Sequence, residues 1–501
     1  MKNPILYTIL ISLMPILFLY QDNIREIPIQ DIIIPLILSV TIIIIPWFIL
    51  RIFINTRKVS AGISFVVILL IIFSHVRTFL ANNEDVNLQF FGSNMILIPI
   101  ILSVTIIGFI FLYKKNIPTE TTPIFNVMTV VVILFIGSQI TIYFINDDSQ
   151  ISSFREFVEI PIIQSDVVDK PDVYLIVLDA YSGDITLERD YNFDNSKFNN
   201  ELKDRGFFVQ DPSYSNYPNT EFAMPSILNM IYLDFLVDEL GEDSKNKRIA
   251  IELRKQNKVM EIFKENDYKI ISFSGGLNVN MPTANEQLCG AIININSELY
   301  ESFVYMYVPI SYLRTQFFEN YHTNALECLF STIKNHKVND DSSSFVFAHM
   351  SLPHPPFIYD ADGNHVPDTF TNDRFDESLR DAYLEQTIFT NKITIEMIDS
   401  IQQRDDSAVI IVMSDHGGRL GVNWYEPTEM DYYRAFNNLS AFYFPGYEGD
   451  IPEEIAAVNT YRVLFNTYFN TDYEILEDRQ MWYVPELPWD QTDVSKKLIR
   501  E

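Results

Sequence analysis

The chain has 501 residues, 48% of them apolar, with 36 Lys+Arg against 66 Asp+Glu. A net charge of −30 argues against nucleic acid as a partner, and an anionic substrate needs local help from a metal or a few Arg. Residues 1–150 hold eight basic and eight acidic residues, so the whole acidic excess lies beyond them.

Five apolar stretches are long enough to cross a bilayer, which takes about 20 residues each. They run Pro4–Tyr20, Asp31–Ile54, Ala61–Leu80, Met95–Tyr113 and Ile124–Ile145. The first is short but lacks a small-residue cleavage site, so it reads as a membrane helix and not a signal peptide. With five helices, Lys2, Arg51, Arg57, Lys58, Lys114 and Lys115 share one side. Asp22, Arg25, Glu26, Glu84 and Asp85 share the other. The basic side is expected to be cytoplasmic, which places everything after Ile145 outside. His75 and Arg77 lie near a helix end and are expected to snorkel, and no charge array marks a transport path. The expected division is a transmembrane region 1–145, a linker 146–170 and an extracellular or periplasmic domain 171–501. Within the linker, the apolar residues of Ser153–Ile163 suit either the membrane surface or the soluble domain.

Val173–Leu178 reads as a buried strand ending in Asp179. Asn195–Arg205 reads as a helix closed by Gly206, and Phe207–Gln210 as a short strand. Pro218-Asn219 marks a turn, and Thr220 sits where the following helix would be capped. Arg248–Asn266 is an expected helix, Lys269–Ser274 a strand and Gly275-Gly276 a turn. Asn324–Asn335 reads as helix and Ser344–Met350 as a strand leading into Ser351-Leu-Pro-His354-Pro-Pro-Phe357. Glu377–Gln403 is a long helix feeding Val409–Met413, a β-branched strand that stops at Ser414-Asp415-His416-Gly417-Gly418. The two glycines are expected to let the backbone turn sharply. Leu439–Phe444 and Thr460–Phe469 follow as strand and helix. Strands alternating with helices imply an α/β domain with a mostly parallel sheet covered by helices on both faces. Cys289 and Cys328 suit either a disulfide, if the domain is outside the cell, or two buried thiols.

Parallel strands gather their carboxyl ends on one rim, where ligands bind. Asp179, Asp415 and His416 there offer two carboxylates and an imidazole, and Thr220 can add its hydroxyl oxygen. That set suits one divalent metal, which would make the Thr220 hydroxyl a competent nucleophile. The helix behind Thr220 favours anionic oxygens, and His354 can serve a substrate or leaving group. Each residue alone has a plain structural use as a cap or a loop anchor; together, four such residues on one rim favour chemistry. Arg419 and Arg434 are weaker candidates for binding substrate anions. Asn216 and Tyr217 read as shaping the turn, His349 as a core histidine and His365 as an exposed turn residue.

Strand-Asp179, Asn-Thr220, Pro-His354-Pro-Pro-Phe and Ser-Asp415-His416-Gly resemble the alkaline-phosphatase and sulfatase superfamily. Within it the chain is most similar to membrane-anchored phosphoethanolamine transferases and lipoteichoic-acid synthases, in layout as well as motifs. The resemblance implies a Thr nucleophile at Thr220, with Pro225 five residues on. It implies zinc or manganese held by Asp179, Thr220, Asp415 and His416, with His354 near the substrate. The implied activity moves a phospho-head group from a phospholipid-like donor at the bilayer to an envelope glycan, lipid or protein. A phosphatase, phosphodiesterase or sulfatase-like hydrolase, and a non-catalytic envelope binding protein, are the alternatives. The sequence departs from the pattern in four places. The transferases carry Glu where Asp179 stands. Sulfatases carry a second Asp where Ala180 stands, and a Cys/Ser-x-Pro-x-Arg motif that neither cysteine here forms. The transferases' further His after Asp-His is missing from Trp424–Met430.

Overall fold

The structure is a computed structural model. It describes residues 3–24, 29–81, 94–156, 160–163, 170–273, 275, 281–289, 311–335, 342–366, 376–447, 452 and 454–498. The chain divides into two compact units, 1–151 with 294–318, and 152–293 with 319–501.

In the first unit, helices α1 (Ile5–Asp22), α2 (Ile33–Leu50), α3 (Thr56–Ala81), α4 (Asn94–Lys114) and α5 (Thr121–Glu156) follow one another. Among the described residues, these five are long and apolar enough to cross a membrane. Several polar groups that they bury bond across helices. Trp47 Nε1 donates to Ser60 Oγ (2.8 Å), Ser64 Oγ to Thr8 Oγ1 (3.2 Å), and the Tyr7 amide to Asn126 Oδ1 (2.9 Å). The fifth helix outruns the expected Ile145 and stays helical to Glu156. No proline stands in its way before Pro161. Loop residues Arg25, Glu26, Glu84 and Asp85 lie outside the described residues.

The second unit is built on a seven-stranded sheet. In chain order its strands are β1 (Val173–Leu178), β2 (Phe208–Gln210), β3 (Lys269–Phe273), β4 (Glu286–Leu288), β5 (Ser344–Met350), β6 (Val409–Met413) and β7 (Ser440–Tyr443). Their spatial order is β2-β7-β6-β1-β5-β3-β4. β1 lies between β5 and β6, parallel to both, whereas at one edge β7 runs antiparallel to β6 and β2 antiparallel to β7. A separate hairpin pairs β8 (Met481–Trp482) with β9 (Thr492–Asp493).

Helices follow as α6 (Asp184–Tyr191), α7 (Ser196–Asp204), α8 (Thr220–Asn229), α9 (Asp234–Leu240), α10 (Arg248–Lys255), α11 (Lys258–Glu265), α12 (Ser311–Asn335), α13 (Arg380–Arg404), α14 (Glu429–Phe436) and α15 (Thr460–Tyr468). The alternation of β1 explains both cores. Tyr174, Ile176 and Leu178 face a cluster with α7 and α13, and Val173, Leu175 and Val177 face one with α8, α11 and α15. All five residues of β6 are fully buried, worth roughly 1.5–3 kcal/mol for each large side chain.

The helix expected over Arg248–Asn266 is two helices. Asn257 breaks it, because its side chain accepts from the Met260 amide and caps the second one. The linker's end is settled too. Tyr473 donates to the Pro161 carbonyl (2.6 Å) and Asn266 Nδ2 to the Ile163 carbonyl (3.1 Å), so Pro161 and Ile163 pack on the α/β unit. Cys289 and Cys328 form a disulfide. Gly275 makes the expected turn at φ 49°, and Gly276 lies outside the described residues.

Candidate active site

Asp179 follows β1, and its amide donates to the Met350 carbonyl at the end of the neighbouring strand. Asp415 and His416 follow β6, the other neighbour of β1. The side-by-side strands therefore deliver these three residues to one rim. Donor atoms of Asp179, Asp415 and His416 lie within 4.8 Å of one another, and all three residues are buried. Among the described residues, this is the group of acids, His and Cys that could hold a metal.

Thr220 joins them from α8. The helix is capped by Asn219, whose side chain makes no capping bond, so Thr220 is the first helical residue and not the cap. Its hydroxyl is left for the rim. It donates to Asp415 Oδ2 at 2.6 Å and lies 3.2 Å from His416 Nε2. His416 Nε2 also lies 3.6 Å from Asp179 Oδ1 and 3.5 Å from Asp415 Oδ2. The Gly417 carbonyl is 2.8 Å from His416 Nδ1, and a carbonyl can only accept. Nδ1 therefore carries the proton, and Nε2 presents its lone pair.

The loop is braced from below. Ser414 Oγ donates to the His416 carbonyl and accepts from the Tyr181 amide. Asn438 Nδ2 donates to the Ser414 carbonyl, and the Ala180 amide donates to Asp415 Oδ1. The two glycines are needed for space and not for a left-handed turn. A Cβ on Gly417 would stand 2.3 Å from the Arg434 carbonyl, and one on Gly418 would stand 2.6 Å from Ser182 Oγ. The left-handed residue is Arg419, at φ 61°.

Electrostatics divide the two carboxylates. Burial alone would raise Asp179, but the imidazoles of His354, His349 and His416 outweigh it and hold the carboxyl below its ordinary value. Burial, then the charge of Asp179, pushes Asp415 up to about 6. Burial, with the Arg419 charge adding to it, holds His416 well below its ordinary value, so the ring is neutral. Burial also lowers Arg419, against the pull of Asp179 and Asp415. Asp179 Oδ1 is buried and finds no hydrogen-bond partner. Two carboxylates, one of them with an orphaned oxygen, an imidazole lone pair and a hydroxyl fit a divalent cation.

His354 hangs on the same rim. Its amide donates to the Asp179 carbonyl (3.0 Å), and its Nδ1 lies 2.6 Å from the Pro355 carbonyl. Arg434 is engaged elsewhere. It grips Asp190 with two bonds of 2.9 and 2.8 Å and donates to the Gly421 carbonyl at 3.1 Å. Those bonds brace the loop after the site, and the guanidinium is not held out for a substrate anion. His365 is a hairpin residue bonded to Thr323, as its turn-like surroundings suggest.

His349 is what sequence reasoning undervalued. It lies in β5, buried, but its Nε2 is 3.4 Å from Asp179 Oδ2 and 3.9 Å from Asp415 Oδ2. Neither ring nitrogen closes a hydrogen bond, so it is not a satisfied core histidine. The available signal was its place one residue before the end of a strand that leads to His354.

No curated protein matches the chain. Among solved structures, the C-terminal periplasmic domain of EptC from Escherichia coli is similar at 13% identity and a TM-score of 0.42, over 67% of this chain and 97% of that one. The integral membrane lipooligosaccharide phosphoethanolamine transferase A from Neisseria meningitidis is similar at 12% identity and a TM-score of 0.35, over 88% of each chain. The 2-O GAG sulfatase BT1596 is similar at 13% identity and a TM-score of 0.38, over 64% of this chain and 74% of that one. The family model described as Sulfatase matches residues 171–472. That span is more than half of the chain, which therefore belongs to the sulfatase family within the alkaline-phosphatase superfamily.

Proposed function

We propose that the chain is a metal-dependent phosphotransferase anchored in a membrane, with residues 171–501 as its catalytic domain on the outer side and 146–170 as linker. The observation that carries this reading is the Thr220 hydroxyl, 2.6 Å from Asp415 and 3.2 Å from the His416 lone pair at the start of a helix. A threonine that served only to begin the helix would not need an acid and an imidazole on its hydroxyl. Asp179, Thr220, Asp415 and His416 would hold one divalent cation, zinc or manganese by family resemblance. The cation supplies charge that favours ionised Thr220 and stabilises the oxygens of a phosphoryl group.

The rest falls to the chain's own side chains. Thr220 Oγ1 attacks phosphorus, its proton leaving along the bond to Asp415. The ester bond to the leaving alcohol breaks, and protonated His354 gives that alkoxide a proton. An acceptor hydroxyl then gives its proton to His354 and attacks the phospho-threonine; the bond from phosphorus to Thr220 Oγ1 breaks, and Asp415 returns the proton to that oxygen. Arg419 contributes positive charge to the phosphoryl oxygens. The disulfide supports an oxidising compartment for the domain, in accord with the basic loops on the opposite side. A true sulfatase reaction is disfavoured, since neither cysteine is free to become a formylglycine.

Replacing Thr220 by Ala should abolish turnover of a phosphodiester such as bis-p-nitrophenyl phosphate while leaving Tm within a few degrees. Undiminished turnover would sink the mechanism. Product analysis with and without a glycan or lipid acceptor separates transfer from hydrolysis.

A further inference from the structure

The match to the family ends at residue 472, yet the chain beyond it returns to the site. Asp478–Trp489 forms a strap across two elements. On one side it holds the turn that carries Thr220. The Met481 amide donates to the Asn216 carbonyl (2.9 Å), and Asn216 Nδ2 donates to Asp478 Oδ1 and to the Arg479 carbonyl, both at 2.8 Å. The Tyr483 ring lies 4.9 Å from Phe222, two residues after Thr220, and Trp489 lies 4.8 Å from the same ring. On the other side, Trp482 stacks on Trp424 at 5.0 Å and meets Tyr432 at 5.0 Å and Phe436 at 6.2 Å. Trp424 follows the Asp415–Arg419 loop, and Phe436 closes α14 just before Asn438, which supports Ser414.

Successive side chains of an extended segment point to opposite sides. Trp482 and Tyr483 therefore grip the metal-loop side and the nucleophile side from adjacent positions. Tyr483 Oη is buried beside Asn219, and neither it nor Asn219 Oδ1 closes a hydrogen bond of good geometry.

We infer that this strap is a positioning element, which fixes the distance between the Thr220 turn and the Asp415–Arg419 loop. The inference rests on the phosphotransfer reading for its consequence, though not for its geometry. The test is amide hydrogen exchange on the full-length protein in detergent, with Mn²⁺ titration alongside. Trp482→Ala should speed exchange roughly tenfold or more in both 214–222 and 417–424, and leave β3 and α11 at wild-type rates. It should weaken Mn²⁺ binding by roughly tenfold, the scale of losing support for a ligand. Trp482→Phe should restore most of both. Tyr483→Ala should loosen 214–222 alone. Trp424→Ala, at a half-buried position, gives the loop-side answer if Trp482→Ala does not fold. Unchanged exchange in both segments, or an equal rise in β3 and α11, overturns the inference. Absence of Mn²⁺ binding in the wild type overturns the phosphotransfer reading and leaves exchange to decide the strap.

Discussion

Two clusters of buried charge in the α/β unit are finished in opposite ways. Around Asp190, Arg434 makes a two-bond grip and Arg380 adds a third contact at 3.2 Å. Asp431 is engaged there by Arg434 and by the Thr428 cap. Every carboxylate in that cluster faces a cation or a donor. At the strand ends, Asp179 and Asp415 face each other and the rings of His349 and His416, with an orphaned oxygen and two orphaned ring nitrogens. A buried cluster completed by its own side chains is scaffolding. One that leaves converging lone pairs is built for something that arrives from outside.

The sharpest way to break this contrast is Arg434→Ala. It leaves Asp190 with Arg380 alone and should cost about 2–3 kcal/mol of stability by denaturant titration. Arg434→Lys keeps the charge but loses the two-bond grip, and should recover only part of it. If Arg434→Ala left stability intact and removed only substrate affinity, Arg434 would be an anion binder after all.

The opposite result is expected at the open cluster. Asp179→Asn should weaken divalent-ion binding by at least about a hundredfold, measured by calorimetry. In chelator, Asp415→Asn removes a carboxyl that burial and the charge of Asp179 push up to about 6, and should raise stability at pH 7 by about 1 kcal/mol. A loss of stability in chelator would mean that the acid serves structure and not an ion.

The contrast also marks what could be read from the chain alone. β1, β5 and β6 announce themselves because a strand buried on both faces must be continuously apolar, and Asp179, Asp415 and His416 stand where those runs stop. Local signals sufficed there, as they did for the five apolar helices. The grip of Arg434 is not legible in the sequence because its partner Asp190 is 244 positions away. Gly417 and Gly418 looked like turn residues, but the Arg434 carbonyl and Ser182 Oγ that exclude a Cβ belong to distant segments. His349 looked like core because burial is legible in a strand and the neighbour across the sheet is not. The strap carries no motif, and its two-residue strand has no period to detect.

A third buried acid offers the smallest effect. Asp184 is held by Asn195 and Asn199, amides and not cations. Burial, then the charge of Asp211, pushes its carboxyl up to about 6. Since that lies above its unfolded value, its contribution is complete below about pH 4 and is lost as the pH rises through about 6. Asp184→Asn should flatten the fall in stability between pH 4 and 7 by about 1–2 kcal/mol, allowing for solvent screening. An unchanged slope would assign that pH dependence to other acids.

The central claim is that Asp179, Thr220, Asp415 and His416 close around one divalent ion. Titrating Zn²⁺ or Mn²⁺ into chelator-stripped, full-length protein tests it most directly. One ion should bind per chain, and binding should be lost in Asp415→Ala while surviving in Arg434→Lys. No binding in the wild type, or equal binding after Asp415→Ala, would contradict it.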